Sequence, residues 1–225
     1  MARTHGRPSS RTSKATRSGS GGSDAAVGLR AHSGWATMIA VAGPPAAPAV
    51  LLRRRVELSA DDTGSRQPFH AAEGMELEKA EDLIRRSTDA ARKHARDALA
   101  GAVAELRQTG HAVVGCGLLT ASSRPLPALA RILASHALIH AAKGELFRDA
   151  LLAAARGCGL EVLAVKEKEV MDRGAAMLRI SGDEAKRRLS LMGRALGPPW
   201  RQDEKLSALV AWLSLVSTGR AADAS

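Results

Sequence analysis

His136 and His140 stand four residues apart in "ASHALIHAAKGELF". On a helix the two share one face. Two imidazoles at that spacing can bind a transition metal or act as acid and base. A third ligand would have to come from elsewhere, and His32, His70, Glu73 and Glu145 are the candidates. No glutamate directly follows the first histidine, so the zinc-peptidase pattern is absent. The plainer alternative is that the two histidines hydrogen-bond within a helix layer or face solvent, with Glu145 a solvated or capping carboxylate.

Basic residues form the other chemical signal. "LLRRRVEL" puts Arg53, Arg54 and Arg55 on a strand-like stretch, where they cannot all share one face. Phosphate contact from one side is the functional reading, and an edge strand protected by charge is the structural one. In "AVKEKEV", Lys166 and Lys168 alternate with Glu167 and Glu169, which suits a binding groove or a solvated strand end equally. The net charge is +10, of which residues 1–24 carry +4. A moderately basic body is compatible with nucleic acid or another polyanion as partner. Cys116 and Cys158 sit in apolar surroundings without metal-type spacing, so free buried thiols in a reducing compartment are expected. There is no phosphate-cradling glycine loop, nucleophile elbow or cysteine zinc motif. No apolar run reaches transmembrane length, so no membrane association is expected and the cytoplasm is the default location.

The elements that must position these residues follow from periodicity. The chain has 225 residues, 45% of them hydrophobic and only 2% aromatic, so alanine and leucine must supply the core of one domain. Residues 1–24, rich in Ser, Gly and Arg, read as a disordered basic tail, with the fold spanning 25–217 and a disordered tail at 218–225. "GLRAHSGWATMIAVAG" (28–43) reads as strand, turn and strand, and 49–59 as a third strand. Residues 60–70 read as a loop. Apolar residues at three- and four-residue spacing predict a helix over 73–109, with a possible break at 85–89, ended by Gly110. A buried, parallel strand is expected at 111–119 and a single helix from about 128 to 156. Further expectations are a strand over 160–170, a helix capped by Ser181 or Asp183, and a last amphipathic helix after "PPW". An antiparallel meander followed by alternating strands and helices gives an α/β fold, a mixed five-stranded sheet flanked by helices.

That order resembles the ribonuclease H-like fold, and within it the Holliday-junction resolvase branch. "GLRAHSGWATMIAV", "GLEVLAVKEKEV" and "DEAKRRLSLMGRALG…DEKLSALVAWLSL" carry the likeness. The resemblance implies two divalent ions, Mg or Mn, held by four acids: on the first strand, at the end of the fourth, and two in the last helix. Carried over, the first position falls at Arg30, in the hairpin whose turn holds His32. The second falls at Cys116 or Gly117. In the last helix Glu204 matches, beside Asp203, and the final position falls at Ser207. A cation at the first position would repel the ions, so a degenerate carboxylate site is expected. The first reading is therefore a nucleic-acid-binding protein with the two-metal site lost and Arg30, Arg53, Arg55, Lys166 and Lys168 as contacts. The second is an active metal-dependent nuclease with a relocated site of His32, His136, His140 and Glu145, and Asp203 or Glu204 as metal ligands. The third is an interaction module, a homodimer formed through the long helix.

Overall fold

The computed structural model describes residues 23–44, 46–60, 63–121 and 125–223. Five strands form one sheet: β1 (Ser23–Ala31), β2 (Trp35–Ala42), β3 (Ala49–Glu57), β4 (His111–Thr120) and β5 (Glu161–Lys166). Their spatial order is β3-β2-β1-β4-β5. The β1–β2 and β2–β3 pairs are antiparallel, and β4 and β5 run parallel to β1. This is the meander-plus-parallel sheet expected from the sequence. Gly34, at φ +80°, makes the tight turn between β1 and β2, where His32 N donates to Trp35 O at 2.7 Å.

Helices cover both faces. One face packs against α3 (Leu77–Gln108) and α5 (His136–Gly157), with the short α1 (Thr63–Arg66), α2 (Pro68–Ala71) and α4 (Leu129–Leu133) beside them. The other face packs against α8 (Gln202–Asp223), flanked by α6 (Val170–Leu178) and α7 (Gly182–Met192). The sheet thus divides two apolar clusters, one around Leu99, Phe147 and Leu151, the other around Leu209, Trp212 and Leu213.

Helix α8 lies directly on the sheet because three glycines beneath it carry no side chain. A Cβ at Gly28 would overlap the Ser207 carbonyl oxygen and come within 2.7 Å of Ala211 N. One at Gly117 would strike the Val210 carbonyl, and one at Gly115 would come within 2.6 Å of Ser214 Oγ. Residues Leu206 to Val216 of the helix are all buried, so it has no solvent face there and is not the amphipathic helix expected. It also runs on to Asp223, past the boundary expected at 218.

Several boundaries differ from the sequence expectation. Strand β1 begins at Ser23, so Ser23 and Asp24 belong to the sheet; residues 1–22 of the expected tail lie outside the described residues. The 60–70 segment holds two short helices, the second started by Pro68 with Phe69 buried beneath it. Helix α3 is continuous through 85–89, where Arg85 and Arg86 both pair with Asp82 and Thr88 Oγ1 donates to Ile84 O. The 128–156 helix is broken at Ser135, whose extended backbone lets Ile132 and Ile139 both turn inward. Strand β5 stops at Lys166, and Glu167–Glu169 form a single 3-10 turn, so the expected lysine–glutamate alternation does not continue. Cys116 is buried as expected, whereas Cys158 is only half-buried; both are free thiols. Among the described residues no helix is long and apolar enough to cross a membrane.

Candidate functional site

The carboxyl ends of the parallel strands β1, β4 and β5 lie together, and this is where open α/β sheets place ligands. Arg30, near the end of β1, faces the α8 side in a row with Thr37 of β2 and Arg55 of β3. Its guanidinium joins two carboxylates from distant parts of the chain. Nε donates to Glu167 Oε2 at 3.0 Å and Nη2 to Glu167 Oε1 at 2.6 Å, a two-pronged pair. Nη1 pairs with Asp203 Oδ1. The β5 edge supplies Glu167, and the first turn of α8, seated by Gly28 and Gly117, supplies Asp203.

His32 completes the network from the hairpin turn. Its Nε2 lies 3.2 Å from Asp203 Oδ2 and 3.4 Å from Arg30 Nη1. That nitrogen can donate to Asp203 or accept from Arg30, not both at once. Burial lowers the His32 pKa below its ordinary value, and the Arg30 charge adds to the effect. The imidazole stacks on Trp35 with ring centroids 4.0 Å apart, and the Arg55 guanidinium sits 3.9 Å from a Trp35 ring centre. Glu167 moves downward: its hydrogen bonds to Arg30 hold its carboxyl below the usual range, against the opposing effect of burial.

A cleft of about 470 Å³ opens beside this network. Arg30, Thr120, Arg148, Glu167, Lys168 and Gln202 form its polar lining, and Leu206 part of its apolar floor. A second hollow, about 330 Å³, lies on the other side of Asp203, among Trp35, Arg53, Arg55 and Arg201.

The other expected residues divide among separate tasks. Glu204 turns away from Asp203: its Oε2 accepts from Arg201 N at 2.7 Å and so caps the first turn of α8. Ser207 is fully buried under the sheet, its Oγ toward the Thr37 carbonyl. Cys116 faces the α3–α5 cluster, and Gly117 lies beneath α8. Arg53 Nη1 donates to the carbonyls of Gly197 at 2.7 Å and Pro199 at 2.6 Å, which ties down the segment leading into α8. Arg55 Nε donates to Glu57 at 2.6 Å. Lys166 is exposed and lies 3.4 Å from Glu169, whereas Lys168 lines the cleft.

The histidine set expected as one site is split. His32 belongs to the Arg30 network. His136 and His140 meet His70 of α2 instead. Glu145 pairs with Arg148 at 2.7 Å, one turn along α5. The outward face of α3 carries ion pairs such as Lys93–Asp97 at 2.8 Å, the pattern of a solvated helix.

Sequence reasoning missed Glu167 as a partner of Arg30. Its signal was position: an acid directly after an apolar strand parallel to the centre of the sheet falls at the ligand-binding end. Reading 160–170 as one strand hid it.

No protein-family model and no curated protein matches this sequence. Among solved structures, the chain is similar to the Thermus thermophilus RuvC structure at 15% identity, over 88% of this chain and 96% of that one, with a TM-score of 0.49. It is also similar to T. thermophilus RuvC in complex with Holliday junction substrate, at 12% identity over 87% and 95% of the two chains, again with a TM-score of 0.49. The mixed five-stranded sheet flanked by helices is the architecture expected from the sequence. The chemistry rests on the residues above and not on these likenesses.

Proposed function

We propose that this ribonuclease H-like chain binds nucleic acid and does not cut it by the two-metal route. The observation that carries the reading is the Arg30 bridge between Glu167 and Asp203. A hard cation needs several oxygen ligands. Here the oxygens nearest the expected centre are taken by a guanidinium, whose planar fork matches carboxylate geometry. Glu204 is spent on capping α8, and Ser207 offers no carboxylate. The residues present do not fit a pair of Mg or Mn ions. Arg30 instead supplies the positive charge that holds two strand ends and a helix start together.

Support for binding comes from the cleft beside the bridge. Arg148 and Lys168 line it. Arg55 and Arg201 border the neighbouring hollow, and the chain as a whole is strongly basic. Phosphate contacts from such side chains position a strand without reading its sequence.

Fluorescence anisotropy with labelled four-way, duplex and single-stranded DNA tests the reading. Affinity should fall linearly with salt on logarithmic axes, as counterion release requires. K168E and R148E should each weaken binding about equally on every sequence, because they touch backbone alone. The same DNAs should stay intact with Mg2+ or Mn2+. Product formation that rises with either metal would overturn the loss of cutting. Affinity indifferent to salt would overturn the binding.

A further inference from the structure

We propose that His70, His136 and His140 form a binding site for one imidazole-preferring transition-metal ion, of which zinc is the type. The site is distinct from the Arg30 network. It is built on the α3–α5 side of the sheet, whereas Arg30 faces α8. His140 also precedes Arg148, which lines the cleft, by eight residues of α5, about 12 Å of axial rise at 1.5 Å per residue.

Each of the three histidines offers a ring nitrogen, and these nitrogens all lie within 4.8 Å of one another. His136 Nε2 and His140 Nε2 are 3.0 Å apart. Two imidazole nitrogens each about 2.0–2.1 Å from one tetrahedral zinc ion stand about 3.3 Å apart, so this pair is already near ligand spacing. The break at Ser135 makes the geometry available. It sets His136 at the first position of α5, one turn before His140, where the helix is open toward α2. His70 arrives from the other side, its ring 5.4 Å from His136 and 5.1 Å from His140, edge to face with both. Its Nδ1 is buried and has no hydrogen-bond partner among the described residues.

The donor set selects the ion. Three neutral imidazoles bring no negative charge and no oxygen, which suits zinc, copper, nickel or cobalt and not magnesium or calcium. His136 and His140 are exposed, so a fourth position faces solvent. Three protein nitrogens with one open position is the ligand count of catalytic zinc sites. The bound ion would also tie α2 to α5 across 65 intervening residues.

The test uses the full chain purified without a histidine tag and stripped with a chelator. Zn2+ titration by calorimetry should show one ion per chain, and Co2+ should give the visible absorption of a four-coordinate complex. The ring NMR signals of His70, His136 and His140 should move together, while those of His32, His94 and His111 stay. H140A, at an exposed position, and H70A should each lose more affinity than the 10–100-fold typical of removing only an outer-shell partner. H94A should bind as the parent does. The proposal is overturned if the parent binds neither ion at roughly 100 µM, about 5 kcal/mol of affinity. It is equally overturned if binding survives H140A at full strength, which would place the ion elsewhere.

Discussion

Arg30 shows how one side chain can join two carboxylates from distant parts of the chain. Its fork is rigid and planar, so it can hold Glu167 through two hydrogen bonds and Asp203 through a third contact. Removing it strands two half-exposed carboxylates. R30M should destabilise the fold by about 1–3 kcal/mol, below the range for fully buried pairs because water still reaches both acids. Urea unfolding measures this. The pH dependence has a definite sign. Glu167 ionises below its ordinary value in the folded chain, so the pair's contribution is complete above that value and is lost as pH falls through the folded one. The stability gap between the parent and R30M should therefore narrow as the pH drops below 4.5, the ordinary glutamate value. His32 gives a second readout. Its folded pKa lies below 6.5, through burial first and Arg30 second. NMR titration of R30M should show it rise, because a repelling charge is gone and Asp203 remains at 3.2 Å. A lower or unchanged midpoint would mean that Arg30 does not govern the ring. At this scale the sequence pointed to Arg30, to the histidine pair and to Asp203. It did not pair them correctly, since Arg30 finds its partners 137 and 173 residues away.

At the scale of elements, the seat of α8 decides where Asp203 stands. Gly28 and Gly117 let the helix backbone touch the sheet, and a methyl group at either would have to push it away. G28A should destabilise by about 1–3 kcal/mol or more, as overpacking does, and should weaken the Arg30–Asp203 contact with it. Gly101, inside α3, is the contrasting case: a Cβ there meets nothing within 4 Å. G101A should stabilise by about 0.5–1 kcal/mol, the usual gain for glycine to alanine in a helix. Thermal unfolding should thus move in opposite directions for the two variants, by about 2–4 °C per kcal/mol in a chain of this size. Two falls, or two rises, would contradict the packing described. Most elements could be read beforehand because their causes are local. A glycine–serine turn between apolar runs marks the β1–β2 hairpin, three- and four-residue spacing marks α3, and Ser181 Oγ accepts from Glu184 N at the start of α7. The break at Ser135 and the end of β5 were hidden, because both depend on what the neighbouring layer buries.

Across the whole molecule, the sheet separates two cores, and Cys116 on β4, an inner strand between β1 and β5, reports on their joint unfolding. Burial raises its thiol pKa to about 12, so no thiolate forms near neutrality while the fold holds. Cys158, half-buried at the end of α5, is shielded less. Alkylation followed by mass spectrometry should give at most one adduct in native buffer, on Cys158, and two only where urea unfolds the chain. Rapid native labelling of Cys116 would mean that β4 opens without global unfolding. The amino-acid sequence alone established the basic charge and the order of three strands followed by alternating helices and strands. These follow from composition, periodicity and residue type, which act over a few neighbours. The folded chain alone decided that Glu167 and Asp203 converge on Arg30, that Glu204 caps a helix, and that His70 joins His136 and His140. Those pairings depend on strand register and on a helix seated on glycines, and both are set by the packing of segments far apart in the chain.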